Sequence, residues 1–257
     1  MEDYNYAELI SRNWGFLNAE DQAKIKEAKI LLAGCGLGSN IATLAARTGF
    51  TRFILADGDK VEISNLNRQA FRLEHVGKNK AEATAELIKE INPESKMEIV
   101  SHFITEQEVL SLVTKAKFIV NTVDPGPVIF ALNRAARCQN KIALFPLNIG
   151  FGGLALIFSQ DSITLEELLE REVTQEEFFI RLAEKITKYI PYLPGYIDRF
   201  SETMEDILQG LKPGPQLGIA AYIGSSLVVT AMVKYLLKKP LKVAPEPLAL
   251  DAWFCSQ

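Results

Sequence analysis

The sequence predicts an α/β fold: a mainly parallel sheet, mixed at one edge, flanked by helices and carrying a helical insertion. Three observations predict it. Short apolar runs alternate with stretches of helical periodicity, a glycine-rich turn joins the first run to the first helix, and a charged helical tract interrupts the alternation late in the chain.

The first apolar run, Ile30–Ala33, leads into GCGLGSN, with glycines at 34, 36 and 38, and helical spacing follows from Ile41 to Thr48. Glycines there allow a tight strand-to-helix turn and a close approach of backbone N–H groups to a phosphate. The second run, Arg52–Ala56, ends at Asp57 and is followed by a polar segment and a helical stretch, Lys80–Ile91. Phe118–Asn121, the helical stretch Val128–Gln139 and Ile142–Phe145 continue the alternation. Fully apolar runs separated by helices predict parallel strands covered on both faces. Phe151–Ser159 comes after only a short loop and reads as a further strand, with another at Leu248–Phe254, so the sheet is mixed toward one edge.

Between Gln160 and Lys212 the sequence becomes charged and helical, broken by PYLPG. Gln216–Leu237 is nearly long and apolar enough to span a bilayer. Gly218, Gly224, Ser225 and Ser226 suit it instead to close packing against a sheet or a second subunit, and Lys234 interrupts its apolar end. The reading is a buried helix, with no membrane partner.

A formal net charge of −4 supplies no global basic field for nucleic acid, so DNA is not an expected partner. Cys35, Cys138 and Cys255 are far apart, and with only two histidines there is no ligand spacing for zinc. The acidic start MEDYNYAELI does not resemble a secretory leader, and the expectation is a cytoplasmic protein.

The glycine turn alone fits NAD, FAD, SAM or ATP. Asp57, 19 residues beyond Gly38, adds an acceptor for ribose hydroxyls without naming the nucleotide. The segment DGDKVEISNLNRQ, residues 57–69, is more specific, because it concentrates carboxylate, amide and guanidinium groups beside the turn. A dehydrogenase has no evident use for them, whereas reaction at a triphosphate needs fixed cations for the phosphate oxygens and the departing pyrophosphate.

That segment resembles the signature of the ThiF/MoeB/HesA family, which includes the adenylation domains of ubiquitin-activating enzymes. The likeness extends to SRNWGFLNAEDQAKIKEAKILLAG, to VGKNKAEATAELIKEINP, to NTVDP and to the late helix and LDAWF. It implies a Rossmann-like single adenylation domain over residues 1–257, with 160–212 as a crossover or lid insertion. It further implies that Gly34, Gly36 and Gly38 line the phosphate turn, that Asp57 and Asp59 hold the ribose, and that Asn65, Arg68 and Gln69 face the phosphates. Lys80 matches the phosphate-contacting lysine, and Asp124 the aspartate that positions Mg²⁺. Arg12 resembles the arm arginine that reaches into the partner subunit's ATP site, which implies a homodimer; an ordinary surface charge is the alternative there.

Three features depart from the family pattern. The glycine turn is one residue short, with Leu37 and Ser39 where glycines are expected, and Pro125 follows Asp124 where relatives carry Asn. The crossover segment has no nucleophilic cysteine, and the zinc CxxC motifs are missing. Cys138, among Ala131, Ala135 and Ala136, reads as a small buried hydrophobe. The expected activity is therefore ATP- and Mg²⁺-dependent adenylation of a carboxylate, without zinc and without a covalent cysteine intermediate. By the resemblance, the C-terminus of a small ubiquitin-like or sulfur-carrier protein, or of a peptide, is the substrate. A carboxylate on a modified tRNA nucleoside and a non-catalytic nucleotide-binding scaffold are the alternatives. The acidic face of the insertion, Glu166, Glu167, Glu170, Glu172, Glu176 and Glu177, reads as a solvated surface, and Tyr189, Tyr192 and Tyr196 either line a pocket or pack the helix turn.

Overall fold

The computed structural model describes residues 4–171, 173–190, 195–196, 206, 211–212 and 214–254. Glu172, Tyr192, Cys255 and the side chain of Glu176 lie outside the described set. Strands β1 (Lys29–Ala33), β2 (Arg52–Ala56), β3 (Lys96–Val100), β4 (Phe118–Asn121), β5 (Ile142–Ile149), β6 (Gly152–Phe158) and β7 (Leu248–Asp251) form one sheet in the order β3-β2-β1-β4-β5-β6-β7. The pairs among β1 to β5 are parallel, and β6 and β7 add antiparallel to the β5 edge.

Alternation along each strand divides the core into two layers. Ile30, Leu32, Phe53, Phe118 and Val120 face helices α3 (Gly36–Thr48) and α4 (Lys80–Ile91) and the long helix near the chain end. Leu31, Ala33, Ile54 and Ile119 face α5 (Glu106–Lys115), α6 (Pro127–Cys138) and the crossover helices α7 (Leu165–Leu169) and α8 (Gln175–Ile186). Before the sheet, α1 (Tyr6–Leu9) and α2 (Ala19–Glu27) form an arm held by the Tyr6 hydroxyl, which donates to the Gly49 carbonyl at 2.8 Å.

Two elements were not anticipated. β3 is an edge strand whose residues, KMEIV, are only half-buried or exposed, so no apolar run marks it. α5 carries a capping box in which Thr105 and Glu108 exchange backbone contacts, a local signal that its sequence does contain. β5 also runs on past Phe145 to Ile149.

Cys138 corrects an expectation. It is exposed, because it closes the last turn of α6, whose buried face is Ile129, Phe130, Leu132, Asn133 and Ala136.

The apolar segment near the chain end forms α9 (Gly218–Leu236), with a mean hydropathy of 1.5. It packs on β5, β6 and α3, burying Ala220, Ala221, Gly224, Val228 and Met232. Gly224 lies directly on Gly153 of β6, where a Cβ on Gly153 would overlap the backbone of Gly224. Gly153→Ala is expected to lower unfolding free energy by about 1–3 kcal/mol through forced separation of helix and sheet. Gly214→Ala, with open space at the added carbon, serves as the control. Urea denaturation of the two variants checks the difference; equal stabilities would refute the close contact.

Candidate active site

The site forms where the strand order reverses. From β1 the chain moves outward to β2 and β3, then returns across β1 to β4, which opens a crevice at the C-terminal ends of β1 and β4. Gly34 begins the turn there with φ +91°, its N–H donating to the Ala56 carbonyl at 2.9 Å. Thr122, just past β4, closes the other side by donating its hydroxyl to the carbonyls of Ala33 and Gly34 at 3.0 and 2.8 Å.

A Cβ on Gly34 would stand 2.5 Å from the Thr122 carbonyl oxygen, whereas one on Gly38 would meet nothing closer than 3.5 Å. The helix starts directly at Gly36, and no side chain caps its N-terminus. The shortened turn is therefore absorbed into α3, leaving the first helical N–H groups as an anion site. Ser39 has a different task from a loop glycine. Its hydroxyl donates to the Gly36 carbonyl at 2.7 Å and accepts from the Ala70 N–H at 3.1 Å.

Asp57 and Asp59 lie beside this turn. The Asp57 carboxylate accepts the N–H of Cys35 at 2.6 Å and of Asp59 at 2.8 Å. Burial pushes its pKa above the ordinary value of 3.8, a rise that the backbone donors and Lys80 oppose. Lys80, whose side chain is 12% exposed, pairs with Asp59 at 2.9 Å. It is held at the start of α4 by Asn79, which caps that helix and donates its amide to the Asp57 carbonyl at 2.9 Å.

The segment from Asn65 to Gln69 is fastened over α3 by Asn40, whose amide donates to the Arg68 carbonyl at 2.7 Å. Asn65 is buried, and its side-chain oxygen accepts the Glu62 N–H at 3.1 Å, so it braces the segment from within. Among the described residues Arg68 donates only to neutral acceptors, the Ser64 carbonyl at 3.1 Å and the Asn67 amide oxygen at 2.8 Å, and desolvation lowers its pKa. Gln69 lies over Gly36 with its amide oxygen buried and unpartnered. Asp124, in the turn between β4 and α6, is exposed and makes no hydrogen bond or ion pair among the described residues.

Arg12 is placed elsewhere. Its neighbour Asn13 donates to the Thr48 carbonyl at 3.2 Å, at the opposite end of α3 from the glycine turn. A helix of 13 residues puts roughly 20 Å between its two ends. Arg12 is exposed there beside Trp14 and Phe16, which are 84% and 92% exposed.

Thr122, Asn40 and Asn79 were not singled out from the sequence, and Ser39 was read only as standing where a glycine is expected. Their signal was present as polar residues at a strand end, inside an otherwise apolar helix start and at a helix N-cap. Among the described residues, only Glu74, His75 and Glu90 bring three such side chains within reach of one metal ion. Arg72 already pairs with both carboxylates.

The ThiF family profile matches residues 9–256, and the chain belongs to that family. The sulfur carrier protein ThiS adenylyltransferase of Escherichia coli (strain K12) is 25% identical over 142 residues, 54% of this chain and 57% of that protein. The tRNA threonylcarbamoyladenosine dehydratase of the same strain is 36% identical over 130 residues, 49% of this chain and 48% of the relative. The adenylyltransferase and sulfurtransferase MOCS3-1 of Zea mays is 30% identical over 141 residues, 54% of this chain and 30% of its own length. The matches thus span less than two thirds of these relatives. Among solved structures, PaaA superposes with a TM-score of 0.71 at 20% identity, covering 98% of this chain and 82% of the other, a likeness of fold.

The turn geometry separates two glycines. Gly34→Ala is expected to cost at least about 2 kcal/mol from positive φ and the clash with Thr122. Gly38→Ala leaves the folded state nearly as stable as the parent. Thermal melting of both variants distinguishes them, and a stable Gly34→Ala protein would contradict the turn.

Proposed function

We propose that this chain activates a carboxylate as an acyl-adenylate, using ATP. A carboxylate oxygen attacks the α-phosphorus, the bond to the bridging oxygen breaks, and pyrophosphate leaves with that electron pair. The observation that carries this reading is the charge gathered at the crevice: among the described residues Arg68 meets only neutral acceptors and Asp124 has no partner, Lys80 is fixed at a helix start in one pair with Asp59, and all lie beside an uncapped helix N-terminus.

In this reading Gly34, Gly36 and Gly38 shape the turn around the phosphates. Asp57 and Asp59 take the ribose hydroxyls, and the orphan Gln69 oxygen is an acceptor for a nucleotide donor. Asn65 acts by bracing Arg68 and Gln69. Arg68 and Lys80 stabilise the phosphate charge that develops as pyrophosphate departs. The Asp124 carboxylate fits Mg²⁺, which when bound would neutralise non-bridging phosphate oxygens. The sulfur-carrier adenylyltransferase among the relatives supports a protein or peptide C-terminus as the acid. The segment 160–212 would act as the lid over it.

No cysteine intermediate is assigned. Cys35 is fully buried with its thiol pKa pushed up by desolvation, and Cys138 lies at the far end of α6 from the crevice. The adenylate would be released or taken by an external nucleophile.

A second reading, a carboxylate on a modified tRNA nucleoside, is favoured by the 36% identity to the tRNA-modifying relative and by a basic row that only the fold reveals. Lys29, Arg52 and Lys96 begin β1, β2 and β3 in register. That row lies on the sheet edge opposite the glycine turn, so it would hold RNA backbone at a distance from the reacting atoms.

Arg12 supports a homodimer with sites completed in trans, because it lies too far from its own turn to act there and Trp14 and Phe16 beside it are exposed.

Substrate-dependent ATP–pyrophosphate exchange should appear with proteins or peptides carrying free C-termini, and fall at least about 100-fold in Arg68→Ala and in Asp124→Ala. No exchange with protein, peptide or tRNA, together with unchanged melting in ATP and Mg²⁺, would favour the scaffold. Mixing inactive Arg12→Ala with inactive Asp124→Ala subunits should restore about a quarter of parental activity, since half the dimers then hold one intact site. No restoration after verified subunit exchange would refute the action of Arg12 in trans.

A further inference from the structure

Every parallel strand of the sheet starts at a cation. Lys29, Arg52 and Lys96 are the first residues of β1, β2 and β3, and Lys117 and Lys141 directly precede β4 and β5. The register makes these positions one row. Lys29 lies opposite Arg52 and Arg52 opposite Lys96, while the residues just after Lys29, Lys117 and Lys141 pair as Ile30 with Phe118 and Phe118 with Ile142. The Lys117 N–H accordingly donates to the Lys29 carbonyl at 2.9 Å, and the Ile142 N–H to the Lys117 carbonyl at 3.4 Å. In sheet order the row runs Lys96, Arg52, Lys29, Lys117, Lys141. At about 4.8 Å per strand it spans roughly 19 Å.

The helices between the strands end on this side, and helix C-termini attract cations. They carry their own for that purpose: Arg47, Lys89, Lys115 and Arg137 stand in the last turns of α3, α4, α5 and α6. The strand-head cations are additional to these. Of the nearby carboxylates, Glu27 is paired with Arg52 and Glu98 with Lys115. Among the described residues Lys29, Lys96, Lys117 and Lys141 form no ion pair; Lys117 lies over the Tyr235 ring, which leaves its charge uncompensated. Between the heads of β1, β2 and β3 lies a groove of about 290 Å³, lined by Lys29, Arg52, Phe53, Lys96, Met97 and Glu98. A chain of net charge −4 thus gathers a line of positive charge on one edge of its sheet.

We propose that this row is a track for the phosphate backbone of RNA. It rests on the RNA of the second reading above, not on the acid activated, and extends that contact from three cations to five. Evenly spaced like charges on a line suit a polymer that carries one anion per repeat, whereas an acidic protein surface presents an area. The crevice opens at the other ends of the same strands, about 17 Å away, so the track holds backbone and reads no base.

The test measures fluorescence anisotropy of a labelled, unmodified tRNA transcript with the whole protein over a salt series. Log Kobs should fall against log salt with a slope between about −2 and −4, since each neutralised phosphate contributes roughly 0.7–0.9. Lys29→Gln and Lys96→Gln should each weaken binding severalfold and flatten the slope by nearly one, at unchanged melting temperature. Lys78→Gln, an exposed lysine before α4 at the other end of the sheet, should leave the slope as it is. Equal slopes in the parent and both row variants, or no binding at about 50 mM salt, would overturn the track. Displacement of the transcript by poly-glutamate as readily as by unlabelled transcript would assign the row to an acidic protein and overturn it too. ATP–pyrophosphate exchange with total cellular tRNA is scored separately: its absence alongside row-dependent binding refutes the tRNA acid and leaves the track standing.

Discussion

The crevice depends on the joint at Gly34. Three strand ends meet there: Gly34 donates to Ala56 at the end of β2, Thr122 after β4 donates back to Ala33 and Gly34, and Asp57 after β2 accepts the N–H of Cys35. A side chain at position 34 would enter the space of the Thr122 carbonyl, so only glycine lets the strands close to this spacing. The start of α3, the height of the 65–69 segment above it and the exit direction of the Asp124 turn all follow from that one approach.

The electrostatics of the crevice follow from how its charges are used. Asp57 is spent on backbone donors, and its desolvation is tolerated because two N–H groups and Lys80 oppose it. Asp59 occupies Lys80 only through one partly exposed pair, the kind of contact that contributes little on its own and exchanges readily for another anion. Arg68 is different, being partly desolvated and satisfied by neutral oxygens while its charge has no counter-ion among its contacts. Fixing it through Asn40 and Ser64 means that little reorganisation remains when phosphate charge arrives.

Much of this was legible because the chemistry is local in sequence. Arg52–Ala56 and Phe118–Asn121 matched their strands end for end, since the middle of a parallel strand buried on both faces must be apolar. β3 escaped because an edge strand has no such requirement, and Lys96 and Glu98 interrupt its apolar residues. In the site, the side chains that carry charge were readable, whereas the ones that hold them in place were not. Asn40 and Arg68 are 28 positions apart, Thr122 and Gly34 88, and neither distance leaves a pattern in a single chain. Asn65 illustrates the limit: its motif context marked it for phosphate, and the bracing contact of its side-chain oxygen with the Glu62 N–H was not readable. Cys138 shows another, because neighbouring alanines mark a helix but not which side of its last turn faces solvent.

The position of the thiols bears on how an activated acid could leave. α6 starts beside the crevice at Pro127 and ends at Cys138, so its 12 residues carry the exposed thiol roughly 17 Å away along the helix axis. Cys35 is near the turn but buried with its proton held more tightly than usual, and Asp57 beside it further disfavours a thiolate. Neither thiol can meet an acyl group formed near Asp124. If an adenylate forms in the crevice, a thiol that takes its acyl group would have to come from outside the described residues.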